Sequence, residues 1–226
     1  YEKIKMSYSM KMTNSVNTKE NEIFTRETLD KMKNGIQHTI PVSTSLSLFN
    51  YINVSPSFNY TERWYFKKVE QQWNNDTKQV ETLDPEYGFW RLYNYNASVS
   101  ANTTIYGTYT AKKKHRKLQA VRHTLTPNIG VSYAPDFSRQ MYGFYETVQT
   151  DTTGRFKVYS PFTDNAYGVP GSGQQFNINF GLSQSLEAKV RTKDTVKKVK
   201  IIDQLSITGS YNFLADSMRL STLPIQ

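Results

Sequence analysis

Apolar and polar residues alternate with a period of two along most of this chain. The clearest stretch is VRHTLTPNIGVSYAPDF, in which every second position from Val121 to Tyr133 is apolar or carries a ring. Successive side chains of a β-strand point to opposite faces, so this period predicts strands with one apolar and one polar face. Comparable stretches lie at 4–12, 40–48, 52–60, 93–99, 105–109, 176–186 and 205–213, with a weaker one at 141–148. The sequence therefore predicts an all-β chain of about nine strands.

The polar faces of these stretches carry mostly Ser, Asn and Thr. Short, neutral, hydrogen-bonding side chains suit the crowded and wet interior of a barrel better than the open surface of a soluble sheet. We therefore predict that the polar face lines an aqueous lumen and that the apolar face contacts lipid. The residues predicted to line a lumen-facing substrate path are Ser57, Asn59, Asn94, Asn96, Asn177 and Asn179.

The connections between the predicted strands mostly alternate between long and short. Long polar connections are predicted at 13–35, 67–88 and 149–173, short ones at 49–51 and 101–103, and a moderate one at 191–198. Outer-membrane barrels have short periplasmic turns and long extracellular loops. The fold class predicted is a partial antiparallel transmembrane β-barrel, with residues 1–226 as a single, incomplete domain. By the same count, the lysine-rich connection AKKKHRK at 111–117 falls on the extracellular side.

Aromatic residues gather near the predicted strand ends, and they are open to two interpretations. They are Tyr60, Trp64, Phe89, Trp90 and Tyr93. An outer-membrane barrel places such residues in a girdle at the membrane interface. A soluble protein would use the two tryptophans to cap its core.

Composition excludes several classes of protein. The 226 residues are 37% hydrophobic, with a mean hydropathy of −0.64. No stretch reaches the roughly 18 consecutive apolar residues of a membrane-spanning helix. The absence of cysteine excludes disulfides and thiolate metal sites. The net charge of +9 favours an anionic partner such as nucleic acid, anionic lipid or the phosphates of lipopolysaccharide.

Residues that could carry chemistry are sparse and scattered. His38, His115 and His123 lie in separate segments without a patterned carboxylate or nucleophile, so we predict no metal, no cofactor and no enzymatic activity. Basic residues cluster at 112–117 and 197–200, and neither cluster has the interleaved aromatic rings that single-stranded nucleic acid requires. Lipid phosphate or a merely solvated loop are the interpretations that remain for these clusters.

Prolines interrupt three of the predicted strands. Pro41, Pro56 and Pro127 each remove one hydrogen-bond donor from a strand with two distinct faces. Such positions are typical of a bulge or a strand end, which is the interpretation that we favour. The alternative is a wall that flexes or parts.

Four stretches carry a resemblance to a known family. They are NYNASVSANTTIYGTY, AVRHTLTPNIGVSYAPDF, GQQFNINFGLSQSLEAKVRTKD and IIDQLSITGSYNFLADSMRLSTLPI, with RHTLTP and SYNFLADS as the most specific pieces. They resemble the barrel region of the LptD family of lipopolysaccharide-assembly proteins, in the form found in Bacteroidetes. The match spans most of residues 89–226.

The resemblance implies a location and partners. The location is the cell outer membrane, and the activity is transport and assembly of lipopolysaccharide without a covalent step. The partners are lipopolysaccharide, outer-membrane lipid and an LptE-type plug lipoprotein, with no nucleic acid. A jelly-roll domain precedes the barrel in this family, and about nine strands are too few for its barrel, so we expect the chain to be a fragment.

Two other functions are compatible with the same alternation. One is a passive porin or a secretion-type barrel, which shares the polar lumen. The other is a soluble carbohydrate-binding β-sandwich, in which the apolar faces of two sheets are buried against each other.

Overall fold

The structure is a computed structural model that describes residues 4–23, 25–111, 117–192 and 195–226. The strands are β1 (Ile4–Met6), β2 (Ser9–Ser15), β3 (Lys33–Thr44), β4 (Leu46–Leu48), β5 (Ile52–Lys68), β6 (Gln71–Asn74), β7 (Gln79–Thr82), β8 (Glu86–Thr103), β9 (Ile105–Thr110), β10 (Leu118–Ala134), β11 (Glu146–Gln149), β12 (Phe156–Tyr159), β13 (Gln175–Thr192) and β14 (Thr195–Asn212). Helical segments are α1 (Arg26–Lys31) and two 3₁₀ turns, Glu20–Glu22 and Gln140–Tyr142. No helix in this part of the chain is both long and apolar enough to cross a membrane.

Ten of the strands form one antiparallel sheet. Its order is β1–β3–β5–β8–β10–β13–β14, with β2 also on β3, β4 on β5 and β9 on β10. The hairpins β6–β7 and β11–β12 lie outside this sheet. The predicted all-β, antiparallel fold class is confirmed, although the sheet does not close on itself within the described residues.

In three places two consecutive strands follow one line in the sheet, and a proline on the facing strand interrupts their pairing. The pairing of β3 changes from β1 to β2 between Val42 and Thr39, where Pro41 lies, without a change of register. The pairing of β5 with β3 and β4 is interrupted in the same way at Pro56, and that of β10 with β8 and β9 at Pro127. A proline offers no N–H to the neighbouring strand, so each gap follows from its chemistry. Of the two expected features, a bulge is absent at these positions, whereas the facing strands do end there. The ten strands form seven continuous lines.

Two elements predicted from the sequence are wrong. The short connection predicted at 101–103 is extended chain, because β8 runs to Thr103 and β9 continues in the same register against β10. Asn102, Thr103 and Thr104 are consecutive polar residues, so neither face is apolar here and the sequence resembles a turn. The weak strand predicted at 141–148 is mostly a 3₁₀ turn and loop; only its last residues join β11, outside the main sheet.

Without the turn predicted at 101–103, long and short connections alternate strictly along the chain. Residues 16–32, 69–85 and 135–174 form long connections at what we term the long-connection end of the sheet. At the opposite, short-connection end lie residues 49–51, the adjoining ends of β9 and β10, and the adjoining ends of β13 and β14. Residues 112–116 of the lysine-rich connection lie outside the described residues. The flanking strands β9 and β10 meet at the short-connection end.

The two faces of the sheet differ as predicted, and the apolar one is uncovered. Ile4, Met6 and Ile129 on that face are 58%, 71% and 51% exposed. A soluble β-sandwich would bury such a face against a second sheet, so the sandwich interpretation is wrong. The most buried aromatic side chains gather instead around the long-connection end, where connection 135–174 packs on β5 and β8.

Candidate functional site

Polar side chains form continuous rows across the sheet, because the register aligns the polar positions of neighbouring strands. One row crosses all seven lines and consists of Lys5, Ser43, Ser57, Ser98, Ser132, Asn177 and Asn212. The next row contains Ser55, Ser100, Gly130, Asn179 and Ser210. Between these two rows, on the other face, lie apolar residues such as Pro56, Val99, Val131 and Ile178. We term the face that holds these rows the polar face.

Four of the six predicted path residues are brought together on β5 and β8. The hydroxyl oxygens of Ser57 and Ser98 lie 2.7 Å apart. The Asn59 amide donates to the Asn96 side-chain oxygen at 3.0 Å. The Asn94 oxygen accepts a hydrogen bond of 2.6 Å from the Arg63 guanidinium. These side chains form a ladder of hydrogen bonds along the polar face.

The other two predicted path residues, Asn177 and Asn179, lie on β13. They share the polar face with the ladder, but β10 separates them from it. Sequence reasoning missed the contribution of β10, whose Asn128 and Ser132 fill the space between. A shallow cavity of about 430 Å³ links these strands and is lined on its polar side by Ser98, Ser100, Asn102, Asn128, Ser132 and Asn179. The alternation in the β10 sequence was the signal that could have identified these residues.

Residues 160–170, which we term the cap, cover the polar face at the long-connection end. The Arg63 Nε donates to the Tyr167 carbonyl at 3.2 Å, and the Tyr65 hydroxyl donates to the Gly168 carbonyl. The Asn165 amide donates to the Lys67 carbonyl at 2.9 Å. The open polar face therefore ends here, because its side chains bond to the cap.

Aromatic rings hold the cap and the rest of connection 135–174 against the sheet. Phe162 stacks on Tyr65, with ring centroids 6.2 Å apart, and lies 6.1 Å from Trp90. Phe144 and Phe137 meet Tyr93 and Tyr95 edge to face at 5.4 and 5.5 Å. Such pairs add attraction beyond the area that they bury. Of the two interpretations for Trp90, packing against a core is the one that the structure favours.

Asp136 joins the two ends of connection 135–174. Its Oδ1 accepts hydrogen bonds from the Ser138 hydroxyl at 2.6 Å and from the Ser138 and Gly173 backbone N–H groups at 2.9 and 2.8 Å. The Ser138 hydroxyl bond first, and then the two backbone bonds, lower the pKa of the Asp136 carboxyl below its usual range. The charged form of Asp136 therefore stabilises the base of the connection.

The remaining girdle candidates lie on the apolar face near the long-connection end. Trp64 meets Phe89 at 5.6 Å, and Tyr60 stacks on Tyr93 at 6.3 Å. His38 lies beside them, with its Nδ1 2.7 Å from the Tyr8 hydroxyl. This arrangement of rings with polar tips is typical of a membrane interface.

The histidines are dispersed in the structure as they are in the sequence. His38 is on β3 and His123 is on β10, where its Nε2 lies 3.1 Å from the Gln184 side-chain oxygen. His115 lies outside the described residues. Within the described ranges, no group of three or more His, Asp or Glu side chains is placed to hold a metal ion.

A sheet that exposes apolar side chains on one face and aligned polar side chains on the other is stable where the apolar face meets lipid. Together with the strict alternation of long and short connections, this defines an outer-membrane β-barrel protein. The sequence model of the family described as LptD protein matches residues 1–226, and the chain belongs to that family. No curated protein and no solved structure matches the chain.

Membership of the family establishes the location and the general role. LptD proteins are in the outer membrane and act in the transport of lipopolysaccharide, and they are not a known family of enzymes. Lipopolysaccharide is accordingly the substrate of the family. The Bacteroidetes form of the family stays a prediction from the resemblance.

Proposed function

We propose that the polar face lines the route by which the sugars and phosphates of lipopolysaccharide cross the outer membrane. In this proposal the apolar face contacts bilayer lipid, and the acyl chains leave through the wall. The observation that carries the proposal is the polar row that continues across all seven lines of the sheet. Residues 1–226 would form a single segment of a larger barrel wall.

The chemistry of the row suits a moving substrate. Phosphates must stay out of hydrocarbon, where an unpaired ion is very costly. Hydroxyl and amide groups offer hydrogen bonds without the strong ion pairing that would hold the substrate in place. Ser57, Asn59, Asn94, Asn96, Asn177 and Asn179 are the residues that we assign to this route.

We further infer that an LptE-type plug lipoprotein contacts the same face. Support comes from the part of the polar face that lies between the cap and the short-connection end. There, Asn59, Asn96 and Asn179 are exposed. A polar partner could satisfy the hydrogen bonds that these amides otherwise make with water.

Site-specific photo-crosslinking in the full-length protein tests the proposal. Crosslinkers at Ser57, Asn96 or Asn179 should capture lipopolysaccharide in cells that are exporting it. Crosslinkers one residue away, at Phe58, Ala97 or Ile178, serve as controls and should capture mainly bulk lipid.

Two other outcomes would contradict the proposal in different ways. Capture of the plug lipoprotein alone at the polar positions would make these strands a packing surface and place the route elsewhere. Capture of neither, together with passage of small hydrophilic solutes, would favour a passive porin.

A further inference from the structure

A second cavity lies on the sheet near the short-connection end, far from the cap. It has a volume of about 650 Å³ and lies between β9, β10, β13 and β14. Its lining is Tyr106, Thr108, Thr110, Gln119, Ala120, Arg122, Glu187, Ala188, Lys189, Val196 and Lys198. The path residues are absent from this lining, so the cavity is distinct from the ladder on β5 and β8.

The lining carries three cations and one carboxylate. The cations are Arg122, Lys189 and Lys198, and the carboxylate is Glu187. Lys189 and Lys198 lie directly opposite each other on β13 and β14. Like charges in direct register destabilise a pair of strands. An anion bound between the two lysines would remove this repulsion.

Some cations elsewhere on the molecule have acidic partners. Lys68 pairs with Glu70 and Glu86, and Lys33 pairs with Asp164. Lys200, beside the cavity, pairs with Asp203 at 2.5 Å. No ion pair within 4 Å involves Arg122, Lys189 or Lys198 in the part of the chain that the structure describes.

Further groups in the cavity suit an anion with oxygen atoms. The Arg122 guanidinium lies over the Tyr106 ring, 4.3 Å from its centroid, and this contact favours one orientation of a donor-rich side chain. Guanidinium groups bind phosphate through two parallel hydrogen bonds. Thr108 and Thr110 add hydroxyl donors from β9.

We propose that this cavity is a binding site for the phosphate group of a phosphorylated saccharide. The volume lies in the range of small-molecule sites and leaves room for a sugar ring beside the phosphate. The proposal rests on the proposed function only for the source of the phosphate, which would be lipopolysaccharide. A soluble phosphorylated sugar shares the same chemistry.

Calorimetry on the full-length protein in detergent micelles tests the site. The probe is glucosamine 6-phosphate, and glucosamine without phosphate is the ligand control. The double variant Lys189→Gln/Lys198→Gln should bind the probe at least about tenfold more weakly than the unchanged protein. Its folding is checked by the heat-dependent shift in gel mobility that intact barrels show.

The matched control removes the same charge at positions outside both the polar row and the cavity. Lys11 on β2 and Lys157 on β12 are exposed. Lys11→Gln/Lys157→Gln should change the affinity by less than about twofold, because charge that is remote from the site is screened by salt. Equal losses in both double variants would overturn the proposal, since diffuse charge would then account for binding. Equal affinity for glucosamine and its phosphate would overturn it as well.

Competition with lipid distinguishes the source of the phosphate. Displacement of the probe by lipid A, but not by its dephosphorylated form, would assign the site to lipopolysaccharide. Failure of lipid A to compete would keep the site and assign it to soluble phosphorylated sugars.

The experiments distinguish failure of the phosphate site from failure of the proposed function. Capture of lipopolysaccharide at Asn96 and Asn179 with no loss of probe binding in Lys189→Gln/Lys198→Gln would refute the phosphate site alone. Loss of probe binding in that variant without any capture of lipopolysaccharide in the unchanged protein would refute the route alone.

Discussion

On β13, two neighbouring residues face different surroundings. Ile178 lies opposite Val131 on β10 and Tyr211 on β14, in an apolar row. Asn179 lies opposite Gly130 and Ser210, in a polar row. In a barrel wall, the first row meets lipid and the second meets water. The same substitution should therefore have different effects on stability at these two adjacent positions.

Arginine at these two positions tests the assignment of the faces. Ile178→Arg should lower the free energy of unfolding by about 2–4 kcal/mol if the side chain meets lipid near the bilayer midplane. Asn179→Arg should cost much less, because its side chain can reach water. Urea titration of the protein in lipid vesicles measures both values, and equal losses would contradict the assignment.

At the scale of elements, the alternation predicts the centre of each long strand and fails at its ends. The polar face of β5 continues past Asn59 and Thr61 into Arg63, Tyr65 and Lys67, which the cap covers. Tyr65 and Lys67 are fully buried. The Lys67 Nζ donates to the Asp30 and Met32 carbonyls at 2.6 and 3.0 Å, so contacts with the connections determine these positions. A pattern of period two contains no information about which connection folds back over a strand.

For the candidate site, the sequence predicts which face each residue lies on but not which residues it contacts. All six path residues lie on the predicted face, because their side follows directly from the period. Their partners depend on the register, which the sequence does not provide. The ladder from Asn59 to Asn96 spans two strands separated by a long connection, and the β10 contribution of Asn128 depends on which strand follows β8 in the sheet.

The strict alternation of connections predicts sidedness. An epitope tag inserted at Lys78, in the turn between β6 and β7, should be reachable by antibody on intact cells, because long connections of such barrels are extracellular. A tag at Asn50, in the three-residue connection between β4 and β5, should be reached only after the outer membrane is permeabilised. Flow cytometry of the two tagged strains measures this, and the reverse result would invert the orientation.

The base of connection 135–174 is predicted to depend on pH. The pKa of Asp136 is lowered in the folded protein, so its contribution to stability is present above the ordinary Asp pKa of about 3.9 and is lost as the pH falls through the lower folded value. The protection of the Gly173 amide, which is its exchange rate compared with the intrinsic rate at the same pH, should therefore fall at acid pH in the unchanged protein. In Asp136→Asn the protection should be low at every pH, and an unchanged protection in this variant would contradict the assigned role.

At the scale of the whole molecule, a wall and a cap differ in what stabilises them. The wall is held by backbone pairing and, in the membrane, by lipid on its apolar face. The cap is held by buried aromatic rings around Tyr65, Leu92 and Phe162. Damage to the aromatic cluster should therefore release the cap and leave the sheet intact.

Phe162→Ala is the variant that tests this separation. Phe162 is 4% exposed, and removal of such a buried ring typically costs about 3–5 kcal/mol. We expect protease to cut connection 135–174 in the variant, while the heat-dependent gel shift of the barrel is retained. Phe156→Ala is the matched control, because Phe156 lies on β12 of the same connection and is 68% exposed. Since the cap covers one end of the polar face, Phe162→Ala should also increase the uptake of small hydrophilic antibiotics, and equal uptake in the two variants would mean that the cap does not restrict the lumen.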